Sequence, residues 1–227
     1  MNFVQVAIPS PLRQTFTYKN QFSSDLIGKR VLVEFGRRKL VGIVISQSKN
    51  FDDSYKLKQI DEVLDDSPLF DKQALKKIIN IANYYMHPIG IVFESFIPSF
   101  LRKAKHQKTL EKYVIKTDSD NAIKSLHTLT RDQKNALNSI ESNDSGEILL
   151  SGITSSGKTE VYKHFIKKLL SKGKSALVLV PEIFLTPQIF NDFQETFGNK
   201  VLLNHSGLTP IQRIKVWLAS QDKNPKI

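Results

Sequence analysis

The chain has 227 residues, no cysteine, and a formal charge of +11 from 33 Lys and Arg against 22 Asp and Glu, with a sequence pI near 9.7. This composition excludes disulfides and thiolate metal sites, and the histidines at 87, 106, 127, 164 and 205 lack ligand spacing, so zinc is not expected in this chain. No apolar run reaches the roughly 20 residues that span a bilayer, and MNFVQVAIPSP is not a signal peptide, so a cytoplasmic protein with no membrane partner is expected. The basic balance suits a polyanion, although a lysine-rich genome gives the same excess.

The first 65 residues read as a small β-rich module. Apolar runs at Phe3–Ile8, Arg30–Phe35 and Leu40–Ser46 are separated by Pro, Gly, Asn and Ser. VEFGRRKLVGIVI predicts a hairpin turning at Gly36-Arg37-Arg38, with Lys39 beside it, so that three cations crowd a tip. From Asp71 to about Met86, Leu75, Ile78, Ile79, Ala82 and Tyr85 recur at helical spacing behind Asp71 as N-cap, and His87-Pro88 ends the helix. A short apolar segment, IGIVFESFIP, follows. LRKAKHQK (101–108) is either a phosphate-contacting stripe or a solvated linker, and 101–128 is read as a basic linker.

From 129 onward, strands and helices alternate. EILLSG, SALVLV and KVLLN predict strands, each followed by a helix, and Thr186-Pro187 and Thr209-Pro210 read as helix starts. The chain is therefore expected to be α/β: a β-rich domain at 1–100 and, at 129–227, part of a P-loop lobe with a parallel sheet and crossover helices.

Gly152-Ile153-Thr154-Ser155-Ser156-Gly157-Lys158-Thr159 matches G-x-x-x-x-G-K-[ST] between a predicted strand and a predicted helix. At average composition the string arises by chance in about one such chain in a hundred, so a glycine turn beside a surface lysine is the lesser reading. The glycines would let backbone N–H groups cup the phosphates of ATP, Lys158 would bridge the β and γ oxygens, and the Thr159 hydroxyl would ligate Mg²⁺. Upstream, Gln133 in LTRDQ has an amide able to both accept from and donate to an adenine edge, and also suits a helix cap.

GITSSGKTEVY, LVLVPEIFLTPQ and HSGLTPIQRIKVW, preceded by PSPLRQTFTY, VLVEFGRRKLVGIVIS and YYMHPIGIVFESFIPSFLR, closely resemble the replication-restart helicase family PriA (primosomal protein N′) in order and spacing. The resemblance implies a 3′→5′ DNA helicase of superfamily 2 that acts at stalled forks and promotes primosome assembly and replication restart. It implies DNA as partner, through forks, single strands and 3′ ends, together with other primosome proteins, single-strand-binding protein and the replicative helicase system. Adenine recognition by Gln133 follows by analogy. Thr17, Tyr18, Gly36, Arg37, Arg38 and Lys39 fall in the family's 3′-end-binding domain, and Pro181, Glu182, Thr186 and Gln188 in the motif that lines the single-strand path. Strand-end and helix-cap roles are compatible with the latter.

Three departures qualify the resemblance. Thr17 stands where the family commonly has Asp in its 3′-terminal pocket. The family's winged-helix domain has no counterpart in the residues between Arg102 and Leu129. After Thr159 no adjacent acidic pair occurs, so D-E-x-H is missing, as are the second motor lobe and the family's zinc-binding cysteines. The expectation is the front part of a PriA-type helicase that binds fork DNA and ATP with little turnover. The alternatives are a stand-alone DNA-end-binding module with a degenerate motor half, and a small P-loop kinase, which would account for nothing before residue 129.

Overall fold

Two units make up the chain, Met1–Val114 and Ile115–Ile227. The computed structural model describes residues 2–22, 24–49, 56–114, 123–143, 145–153, 155–180, 186–222 and 224–227, the side chain of Thr186 excepted.

In the first unit, β1 (Asn2–Ala7), β2 (Phe16–Asn20), β3 (Arg30–Phe35), β4 (Arg38–Ser48) and β5 (Ile60–Val63) form one antiparallel sheet in the order β2-β1-β4-β3-β5. Alternation places Val4 and Val6 of β1, Tyr18 of β2, Val31 and Val33 of β3, Val44 of β4 and Ile60 of β5 in one core with Ile8 and Leu26. Each such side chain, fully buried, contributes ~1.5–3 kcal/mol before chain entropy is charged against it. The edge strands then meet: Lys19 and Gln59 form a parallel bridge, and Lys19 N–H donates to Lys58 O at 2.9 Å. Pairing of the two edges removes most of the open ladder that an edge strand exposes.

The hairpin forms as expected. Phe35 pairs with Arg38, leaving Gly36 and Arg37 as a two-residue loop. Gly36 has φ +61°, the left-handed value required at the first central position of such a turn. The sequence reading missed β2 and β5, because both are short and polar (FTYKN and IDEV) and are held by their partners rather than by a hydrophobic pattern.

α1 (Lys72–Tyr84) begins at Asp71, whose carboxylate accepts from Ala74 N–H at 2.7 Å, and it buries Leu75, Ile78 and Ala82. The apolar IGIVFES forms α2 (Ile89–Ser95). Gly90 lets α2 approach β1 closely, since a Cβ there would overlap the Ile8 carbonyl.

The linker expected at 101–128 is corrected over its first half. Two 3-10 turns, Ser99–Arg102 and Gln107–Tyr113, belong to the first unit and bury Leu101 and Leu110. A fully buried ion pair holds them. Arg30 and Asp65 are both 0% exposed, with Nη2 2.5 Å from Oδ1, while Arg30 Nη1 donates to Leu101 O at 2.7 Å and Nη2 to Lys105 O at 3.0 Å. The cations of 101–108 thus ride on a backbone fastened to β3.

The second unit contains α3 (Arg131–Glu141), α4 (Lys158–Ser171), α5 (Thr186–Phe197), a 3-10 turn at Gly198–Lys200, and α6 (Pro210–Ser220). Ile166 and Leu170 of α4 pack on Phe193 and Phe197 of α5. Lys163, 4% exposed, ties these helices together, with Nζ 2.5 Å from Asp192 Oδ1 and 3.4 Å from Glu160 Oε1. α6 starts on a capping box between Thr209 and Gln212, as TPIQ predicts.

The parallel sheet expected in this unit is the main difference. Among the described residues, 147–153, 175–180 and 201–205 carry no strand ladder. Ile227 N–H donates to Lys200 O (2.9 Å) and Leu202 N–H to Ile227 O (2.8 Å), the alternation of a parallel bridge, while Ala176 N–H donates to Lys226 O (2.9 Å). Lys226 and Ile227 therefore occupy the hydrogen-bonding position between two of the apolar runs. Those runs are not neighbours of one another there, so they cannot ladder directly, and Leu177 and Leu179 stay above 80% exposed beside a groove of about 390 Å³.

Candidate functional site

The glycine loop of the second unit runs directly into α4. Ser155 has φ +64° and Gly157 φ +80°, so the backbone reverses sharply before Lys158. Gly157 caps α4 without a side-chain hydrogen bond, leaving the first-turn N–H groups for another acceptor at the positive end of the helix dipole. Gly152, Ile153, Ser155, Ser156 and Thr159 are exposed, and Gly157 and Lys158 half-buried. Thr154 lies outside the described residues.

Lys158 folds back over this loop. Its Nζ donates to Gly152 O at 2.8 Å and to Ile153 O at 2.9 Å, so the ammonium sits within the curve of the backbone, and one of its three donors is not used by these bonds. Gln133 approaches from α3. Its Oε1 accepts from Thr130 N–H at 2.9 Å in a capping box, and its Nε2 donates to Ser156 O (3.2 Å) and Gly157 O (3.4 Å). A cap and a loop contact, separate readings by sequence, are made by one side chain.

Of the residues expected on the single-strand path, Pro181 and Glu182 and the side chain of Thr186 lie outside the described residues. Gln188 is exposed on α5.

In the first unit, Gly36, Arg37, Arg38 and Lys39 are all exposed at the hairpin tip. Tyr18 is instead 4% exposed: its ring belongs to the core and its hydroxyl donates to Glu34 O at 3.0 Å, bracing the foot of that hairpin. Burial, reinforced by the Glu34 and Asp61 charges, pushes the Tyr18 phenol up to about 12. Phe16 packs edge-on against Phe35 with centroids 4.7 Å apart, a second tie between β2 and the hairpin strand. Thr17 is half-buried on the other side of β2, where Oγ1 accepts from Gln5 Nε2 at 2.8 Å. Its single proton is therefore what it offers another group.

Comparison with known proteins gives the same division. Residues 5–98 match the family model of the PriA 3′DNA-binding domain (3′BD), and 126–224 match that of the type III restriction enzyme, res subunit. Replication restart protein PriA of Treponema pallidum is 31% identical over 229 residues, covering 95% of this chain and 33% of that protein. The chain belongs to the PriA family. The Haemophilus influenzae PriA is 30% identical over 96% of this chain and 40% of its own length, and the Bacillus subtilis PriA is 50% identical over 93 residues, 39% of this chain and 12% of that protein. The chain thus spans about a third of the length of such relatives. With the res-subunit match, the mixed α/β class with a P-loop motor lobe stands for this PriA chain.

Several residues around the hairpin were not legible in the sequence. Lys58 Nζ lies 2.7 Å from Glu34 Oε1 and donates to Gly36 O at 3.3 Å, so a lysine of the β5 approach supports the turn glycine. That hydrogen bond and the Lys58 charge hold the Glu34 carboxyl below its usual range. Gln5 is fixed by Thr15, whose hydroxyl donates to Oε1 at 3.0 Å, and this aims its amide at Thr17. The only sequence signal for these roles is polar residues on strands, which also fits a solvated face.

Proposed function

We propose that this chain is the DNA- and nucleotide-binding front part of a PriA-type 3′→5′ DNA helicase, acting where stalled forks are recognised and replication is restarted. One observation carries the reading: a single chain joins a match to a 3′DNA-binding domain, with an exposed Gly36–Lys39 hairpin, to a P-loop in a helicase-like segment. Arg37, Arg38 and Lys39 would take phosphates of a forked or single strand, and Thr17 and Gly36 would meet the terminal nucleotide. Gln188 would lie beside the strand path. Primosome proteins, single-strand-binding protein and the replicative helicase system would be its protein partners.

The loop residues fit ATP. Exposed first-turn N–H groups, left-handed Ser155 and Gly157, and Lys158 curled above them form a donor-rich concavity for phosphate, with the exposed Thr159 hydroxyl able to serve Mg²⁺. Lys158 would exchange its two carbonyl partners for phosphate oxygens. ATP bound there would supply the energy of strand separation, while the chain's residues bind and orient it. These 227 residues contain no D-E-x-H, so binding with little turnover is expected.

The test pairs two measurements on the full chain. A fluorescent ATP analogue should bind and lose affinity at least tenfold in Lys158→Ala. A labelled strand ending in a 3′-hydroxyl should bind more tightly than one ending in a 3′-phosphate, with affinity falling as salt rises. ATP-driven unwinding by this chain, abolished in Lys158→Ala, would overturn the low-turnover expectation, and equal binding of both termini would overturn end recognition.

A further inference from the structure

α1 buries Leu75, Ile78 and Ala82, yet it ends on three consecutive large side chains that the chain leaves open: Tyr84 81%, Tyr85 70% and Met86 73% exposed. A single exposed aromatic is ordinary, whereas a contiguous patch marks a contact surface. The two tyrosine rings meet edge to face, centroids 4.9 Å apart and planes at 82°, an arrangement that leaves flat ring faces uncovered by each other. Lys77, Ile81, Tyr84 and Tyr85 stand at i, i+4, i+7 and i+8, one exposed stripe about 10 Å long.

The charge along this helix is one-sided. Lys72, Lys76 and Lys77 are exposed, and no acidic residue occurs from 72 to 93. The helix end is also unusual. Met86 N–H donates to Asn83 O and His87 N–H to Ala82 O, the two bonds of a Schellman ending, which places Met86 at the left-handed position with φ +50° where glycine is usual. A bulky apolar side chain is thus held beside the tyrosines against backbone preference.

We propose that this stripe is a stacking platform for single-stranded nucleic acid, with Tyr84 and Tyr85 taking successive bases, Met86 flanking them and Lys77 taking a phosphate. Aromatic faces beside cations are what binding of a single strand without sequence preference requires. An apolar protein partner would have to bury the lysine of the same stripe, so the charge selects the polyanion. The proposal rests on reading the first unit as DNA-binding. It differs from the hairpin reading in needing no strand end.

A circular oligothymidylate, which has no terminus, separates the two. Fluorescence anisotropy should show that the full chain binds it and that Tyr84→Ala/Tyr85→Ala binds at least tenfold more weakly, with an unchanged circular dichroism spectrum. Tyr84→Phe/Tyr85→Phe should stay within twofold of the parent, and Lys77→Gln should reduce the slope of log affinity against log salt by ~0.7. No binding of the circle by the parent chain, or equal binding by the double alanine variant, overturns the proposal. It is also overturned if the alanine variant binds the circle normally but sediments as a monomer where the parent is a dimer, since the face is then a contact between copies. If the tyrosine effect holds while 3′-hydroxyl and 3′-phosphate strands bind alike, the platform stands and only end recognition fails.

Discussion

Gln133 and Ser156, 23 residues apart, are joined by a hydrogen bond from the glutamine Nε2 to the serine carbonyl at 3.2 Å, and the same nitrogen reaches Gly157 O at 3.4 Å. The other end of the amide completes the cap of α3 through Thr130. Two substitutions separate these functions. Gln133→Glu keeps the cap acceptor and loses the donor to the loop, whereas Gln133→Ala loses both. Both are expected to weaken binding of an ATP analogue by roughly three- to tenfold, about one hydrogen bond's worth. Only Gln133→Ala should also lose about 1 kcal/mol of stability. Unchanged nucleotide affinity in both variants would show that the link does not shape the loop.

Arg30 and Asp65 dominate the stability of the first unit. Their charges are fully buried and share hydrogen bonds with Leu101 O and Lys105 O. Asp65→Ala leaves a guanidinium without its counter-charge and should cost about 3–5 kcal/mol, read as a lower urea midpoint. Replacing both residues by apolar side chains of similar volume should recover part of that loss. The 101–108 segment should become protease-sensitive in Asp65→Ala and remain protected in the parent.

Tyr18 makes stability pH-dependent at high pH. Its phenol is pushed up from 10 to about 12 in the folded chain. Above pH 10 the unfolded chain therefore ionises first, so the contribution is complete below pH 10 and is lost as pH rises towards 12. The loss should approach roughly 2–3 kcal/mol. Tyr18→Phe removes this dependence together with the hydroxyl's bond to Glu34 O. Denaturation midpoints at pH 8 and pH 11 should therefore separate more widely for the parent than for Tyr18→Phe, and equal separations would refute the assignment.

Met86 holds a left-handed backbone at φ +50°. Met86→Gly should stabilise the chain by about 1 kcal/mol, because it removes the Cβ penalty at a helix ending that favours glycine. Thermal melting would show the gain. A fall in melting temperature would mean that the exposed methionine side chain makes packing contacts that outweigh the backbone relief.

By itself the sequence determined what depends on neighbours along the chain. Asp71 and Thr209 start helices because caps are local hydrogen bonds, Gly36 turns the hairpin because only a short loop joins β3 to β4, and Gly152–Thr159 announces a phosphate loop by spacing alone. Helices α1, α4, α5 and α6 were legible for the same reason. Tertiary structure decided the rest, because those outcomes depend on which distant groups meet. β2 and β5 are strands because partners pair with them, Tyr18 is core rather than surface because the sheet closes at Lys19 and Gln59, and the basic 101–108 segment is anchored because Arg30 finds its carbonyls. The apolar runs of the second unit predicted strands, but a ladder needs a neighbour at hydrogen-bonding distance. For Ala176 and Leu202 that neighbour is Lys226–Ile227, which no periodicity could name.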